Sequence, residues 1–67
     1  MMTIREQFGL TEYSDEFVSK IIDYRMHIYK NKESWEYYTY EEIAEKENCN
    51  VDDVRKILDR TSIIWNH

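Results

Sequence analysis

An all-α fold is predicted for this chain, on three observations. Its 67 residues contain no proline and one glycine, too few turn formers for a many-stranded β fold or a glycine-rich phosphate loop. Good helix caps recur along it: Thr3, Ser14, Thr39 and Asn50 each precede acidic residues that suit a first helical turn. Apolar residues between the caps recur at spacings of three and four. The length allows one domain, and 42% apolar with 34% charged residues fits an ordered chain. Aromatic residues make up 15%, so few but large side chains build the core. The expected architecture is a small three-helix domain with a short N-terminal helical turn and an apolar C-terminal tail.

Thr3 and Glu6 have capping-box spacing and open the N-terminal turn, which Gly9 ends. Residues 9–13 read as a connector. Ser14 caps a long helix expected over 15–31. Phe17, Ile21, Tyr24 and Ile28 form its apolar stripe, widened by Val18, Ile22 and Tyr29. Lys20, Asp23, His27 and Lys30 fall on the opposite side. Residues 31–38 do not continue the helix, and Trp35, Tyr37 and Tyr38 are expected to fold back over the flanking helix ends. Thr39 and Glu42 form a second capping box, starting a helix over about 40–48 with Tyr40, Ile43, Ala44 and Glu47 on one face. Asn48 suits a left-handed turn. Asn50 caps a third helix over about 51–61, with Val54, Ile57 and Leu58 facing inward. The tail 62–67 either extends this helix, forms a short strand or dangles.

Charge is uneven. The net value is −5, which disfavours nonspecific attachment to phosphate. Residues 1–16 carry −3, 17–32 carry +3, 33–38 carry −2 and 39–60 carry −3. One cysteine excludes an internal disulfide and a multi-cysteine zinc site. The chain reads as cytoplasmic, with no signal-peptide core after Met1 and no apolar run near the ~18 residues that span a bilayer. A membrane partner is not expected.

Residues 39–60, about a third of the chain, resemble the helix-turn-helix of bacterial and phage DNA-binding proteins. Ala44 is small where two helices cross. Asn48 stands where the family usually has glycine, Cys49 takes the small inward turn position, and Asn50 takes the usual Ser/Thr cap. Glu47 departs from the pattern, standing where leucine is common; an unpaired buried carboxylate is costly, so either the helix ends early or the helix pair splays. The resemblance implies that the helix 51–60 reads the major groove. Its outward residues are Val51, Asp52, Arg55, Lys56 and Asp59. Arg55 would pair with guanine and Val51 would meet a thymine methyl. Lys56 and Arg60 would contact phosphates. Asp52, Asp53 and Asp59 cancel the three cations of this helix; they either complement the helix dipole or repel DNA, although an Asp also accepts from cytosine N4. Double-stranded DNA is one expected partner, bound by a regulator or accessory factor acting as a homodimer.

The acidic excess supports a different class: a phage-type inhibitor that presents carboxylates to a host nucleic-acid-binding protein. Glu41, Glu42, Glu45, Asp52, Asp53 and Asp59 are its candidate contacts. Lys20, His27 and Lys30, with Arg25 and Lys32 nearby, read as a solvated polar face or a phosphate-contacting one. The aromatic run 35–40 is interleaved only with acids, so packing is expected rather than base stacking. Trp65 is expected to lid the core; exposed with Ile63 and Ile64, it would suit dimerisation. His27 and His67 lie far apart, and Cys49 has no nearby His in sequence. No enzyme activity, cofactor or metal is expected.

Overall fold

The computed structural model describes residues 2–66; Met1 and His67 lie outside them. The described residues form five helices: α1 (Ile4–Gln7), α2 (Asp15–Met26), α3 (Tyr40–Glu47), α4 (Val51–Arg60) and α5 (Ser62–Trp65). Among them no helix is long and apolar enough to cross a membrane.

Side chains set the helix starts. Thr3 Oγ1 accepts from the Glu6 amide, and Glu6 answers by accepting from the Thr3 amide. Thr39 and Glu42 repeat this box at α3 with distances of 3.1 and 2.9 Å. Ser14 caps α2 through the Phe17 amide, and Asn50 caps α4 through the Asp52 amide. Each cap satisfies a donor that the helix cannot, an effect of about 1 kcal/mol.

Three features differ from expectation. The first is α2, which stops at Met26 rather than near residue 31. The Asp23 carbonyl accepts from both the His27 and Ile28 amides, closing the last turn. Asn31 then competes with helix: its side chain accepts from the Glu33 and Ser34 amides, and its backbone pairs antiparallel with Glu36. The loop 27–39 is therefore a tight structure of its own, with Trp35 in the left-handed region at φ 57°. Second, the connector contains a core residue. Gly9 turns at φ +67°, which suits a residue without Cβ, and drops Leu10 fully into the interior. Arg5 holds this bend by donating to the carbonyls of Tyr13 and Thr11. Third, residues 62–65 form the separate helical turn α5, displaced by a non-helical Thr61 whose hydroxyl donates to the Ile57 carbonyl at 2.7 Å.

α4 lies centrally, packed on α2, α3 and α5. Val54, Ile57 and Leu58 are its fully buried residues, each contributing roughly 1.5–3 kcal/mol through burial. They meet Val18, Ile21, Ile22 and Tyr24 of α2, Ile43 and Ala44 of α3, and Leu10. On α2 the buried residues are 18, 21, 22, 24 and 25; 18, 21, 22 and 25 run as a helical stripe whose last member is Arg25 rather than an apolar residue. Ile28, expected in the stripe, lies beyond the helix and is exposed.

The orientation of α4 relative to α3 rests on Asn48, at φ 53° and ψ 52°. The next amide, of Cys49, returns to the Ala44 carbonyl at 2.9 Å. Asn tolerates this conformation; a β-branched residue does not. Asn48→Gly is therefore expected to hold stability within about 1 kcal/mol or raise it, while Asn48→Val costs roughly 1–3 kcal/mol. Urea midpoints at an unchanged m-value measure both. Equal midpoints for the two variants would rule out the left-handed turn.

Candidate nucleic-acid interface

The outward surface of α4 divides into two strips. Asp52, Arg55 and Asp59, at i, i+3 and i+7, share the strip beside α3. Arg55 is 47% exposed at its side chain and pairs with the 78%-exposed Asp52 at 2.8 Å. Its guanidinium also lies 6.0 Å from the Tyr40 ring centre. Asp59 accepts from the Tyr40 hydroxyl at 2.8 Å. Tyr40, expected simply as a core-facing residue, thus underlies this strip from the first turn of α3.

Asp53, Lys56 and Arg60 form the other strip, and the N-terminal connector occupies it. Asp53 accepts from the Tyr13 hydroxyl at 2.7 Å. Lys56 pairs with Glu12 and sits 5.8 Å from the Tyr13 ring centre. Arg60 donates to the Gly9 carbonyl at 2.9 Å. The five residues expected to touch DNA all lie on α4, but they do not share one strip. Arg55 and Asp52 face outward as a pair, Lys56 and Arg60 fasten the connector, and Val51 is half-buried against the core.

The expected basic face of α2 does not form. His27 and Lys30 lie beyond the end of the helix, and Lys30 pairs with Glu42 at 2.7 Å. Lys20 pairs with Glu47 at 3.3 Å. Arg25 is buried, with Tyr37, Tyr40 and Trp65 around its guanidinium. Lys32 makes no ion pair among the described residues.

Glu47 takes neither expected escape. Its side chain is only 12% exposed, and its carboxylate is doubly partnered, by Lys20 and by the Tyr24 hydroxyl at 2.5 Å. Helix α3 runs to Glu47 and stays packed on α4. Cys49 packs partly inward, and burial raises its thiol above the usual range, with Asp53 and Glu47 adding to the effect. Among the described residues no three His, Cys, Asp or Glu side chains cluster as metal ligands.

The aromatic loop departs furthest from the expected packing. Tyr38 packs against the core and meets the Tyr24 ring edge-on. Trp35 instead is 65% exposed, with its ring edge-on to Tyr29, which also stacks with Tyr37. Trp65 covers the core in part, as expected, donating from Nε1 to Thr61 Oγ1. Ile63 is 80% exposed beside it in sequence.

No protein-family model, curated protein sequence or solved structure matches the chain.

Three tyrosine–carboxylate bonds surround the α3–α4 unit and make it sensitive to alkali. Burial first, then the Asp53 carboxylate, pushes the Tyr13 hydroxyl up to about 12. Tyr24 and Tyr40 shift upward for the same reasons, against Glu47 and Asp59. The folded chain favours the neutral phenol, so the Tyr13 contribution is complete below the ordinary value of about 10 and drains as pH rises through about 12, and those of Tyr24 and Tyr40 carry the same sign. The acid limb has the opposite sign. Lys30 first, then the Thr39 amide, lowers Glu42 to about 2, so its contribution is present above about 4.5 and lost as pH falls toward 2. Far-UV circular dichroism recorded alongside tyrosinate absorbance is expected to show helix loss accompanying ionisation of these tyrosines, and Tyr13→Phe to remove part of the alkaline loss. Ionisation at the ordinary value with unchanged helix would contradict the bonded geometry.

Proposed function

We propose that α3, the left-handed turn and α4 form a DNA-binding helix-turn-helix, acting in a small regulator or accessory factor. The observation that carries this reading is the pair Asp52–Arg55 on the outward strip of α4. A guanidinium can donate twice to guanine, and a neighbouring carboxylate can accept from cytosine N4, so the two side chains suit G·C-containing steps. Opening their mutual ion pair costs little, because exposed pairs contribute only about 0–1 kcal/mol. Asp53 and Asp59 accept from tyrosines and so have a packing role within the domain.

On α4 few cations are free for phosphate contacts, since Lys56 and Arg60 hold the connector and must leave it to reach DNA. A single domain therefore binds weakly, and a homodimer on half-sites about one helical turn apart supplies the missing contacts. Fluorescence anisotropy on a G·C-containing duplex tests this reading, at low and at physiological salt. Binding is expected with a shallow salt slope of about one or two units, reflecting few phosphate contacts. Arg55→Ala is expected to weaken it by about 1–3 kcal/mol and relax preference at one base pair. Unchanged affinity for Arg55→Ala would remove the groove-reading role.

A second reading has its own support. Glu41, Glu45 and Asp52 are exposed carboxylates around the same surface, while each cation of α4 already has an acceptor. A basic surface on a nucleic-acid-binding protein would complement them. Asp52→Lys separates the two readings: it strengthens DNA binding under the first and breaks the protein complex under the second.

A further inference from the structure

The last turn of α2 carries a buried cation, Arg25. Only 9% of Arg25 is exposed, yet no carboxylate among the described residues pairs with it. Three rings stand in for an anion: Tyr37, Tyr40 and Trp65, with centres 4.8, 5.5 and 5.7 Å from the guanidinium carbon. Aromatic faces offset part of the cost of burying the charge. Nη1 donates to the carbonyls of Tyr38 at 2.9 Å and Tyr24 at 3.3 Å. Nε and Nη2 have no hydrogen-bond partner among the described residues, and neither is a sealed, unsatisfied atom. Their N–H groups therefore have an opening. Arg25 also lines a cleft of about 140 Å³, together with Met26, Tyr29, Tyr37 and Trp65.

We propose that this cleft binds a small monocarboxylate carrying a flat apolar body, with the Arg25 fork on the carboxylate and the aromatic walls on the ring. The aromatic walls and the size set the body: about 150 Å³ is room for one benzene-sized ring. The charge selects the head group. One guanidinium matches one carboxylate, and a planar carboxylate meets the fork in two parallel hydrogen bonds. A phosphate monoester brings about −1.5 to −2 to a single buried cation in a protein that is already at −5. The cleft is too small for a folded segment of another chain, which favours a free ligand over a docked protein.

The position also gives the ligand a route to α4. Arg25 lies against the Tyr40 ring, Tyr40 donates to Asp59, and Arg55 lies over the same ring. A ligand that draws the guanidinium into the cleft alters the packing beneath the outward strip. The binding claim stands apart from the DNA reading, and it is tested without DNA.

Heteronuclear NMR of the whole chain, titrated with benzoate, is the direct test. The Trp65 indole and Arg25 Nε–H resonances are expected to shift saturably, with the millimolar affinity usual for a fragment-sized ligand. Benzamide, which keeps the ring and loses the charge, and acetate, which keeps the charge and loses the ring, are each expected to bind at least about tenfold more weakly. Arg25→Met reduces benzoate to the level of benzamide. Should that variant unfold, Tyr37→Ala removes one partly exposed wall without touching the Arg25 carbonyl bonds, and is expected to weaken benzoate several-fold. Equal binding of benzoate and benzamide, full benzoate binding by a folded Arg25→Met, or no saturable shift would overturn the proposal. Inorganic phosphate binding more tightly than benzoate would overturn the carboxylate assignment.

Discussion

A carboxylate at the end of α3, facing α2, is the constraint around which the rest of the molecule is arranged. Position 47 points toward the interior, where an unpaired charge would cost several kcal/mol. The chain keeps the charge and supplies it with partners. Tyr24 brings a hydroxyl and Lys20 an ammonium, both from α2, so the bond that satisfies Glu47 also seats α3 on α2. With α3 placed, the left-handed Asn48 and the Asn50 cap set the start of α4. Tyr13 and Tyr40 apply the same chemistry twice more, against Asp53 and Asp59. An acidic chain thereby uses part of its excess carboxylate as an internal set of acceptors.

This use of charge reshapes the candidate interface. A count along α4 places three acids against three bases and suggests a neutral reading surface. In three dimensions the charges are sorted by strip. The strip that meets the connector consumes Asp53, Lys56 and Arg60, and the strip that faces solvent keeps Asp52 and Arg55. The cations of residues 17–32 are sorted likewise: Lys20 and Lys30 are paired to α3, and Arg25 is buried under aromatic rings. On the strip of α4 that faces away from the connector, the one cation is the Arg55 guanidinium, set between Asp52 and Asp59.

The local features were legible in the sequence. Thr3, Ser14, Thr39 and Asn50 cap where their side chains and following acids indicate, and Asn48 turns where its tolerance of positive φ indicates. Each depends on residues two or three positions apart. The end of α2 was harder to read, because Ile28 and Tyr29 continue the apolar spacing while the Asn31 side chain terminates it by bonding forward. Leu10 was hidden in a polar connector, its burial depending on the bend at Gly9. The site itself was least legible. Tyr13 and Asp53 are 40 positions apart, and Glu12 and Lys56 are 44. No periodicity announces such pairs; they follow from how α4 packs against the connector. Trp35 shows the reverse case, a residue whose apolarity suggests burial but whose left-handed turn holds it outside.

If Tyr24 and Glu47 seat α3 on α2 as a bonded unit, their contributions to stability must be coupled. A double-mutant cycle with Tyr24→Phe and Glu47→Leu, read by urea denaturation, measures that coupling directly. Each single variant leaves a polar group without its intended partner, so the double variant is expected to lose less than the two singles combined, by about 1–3 kcal/mol. Losses that add within about 0.5 kcal/mol would contradict the bond as the point on which the helices close.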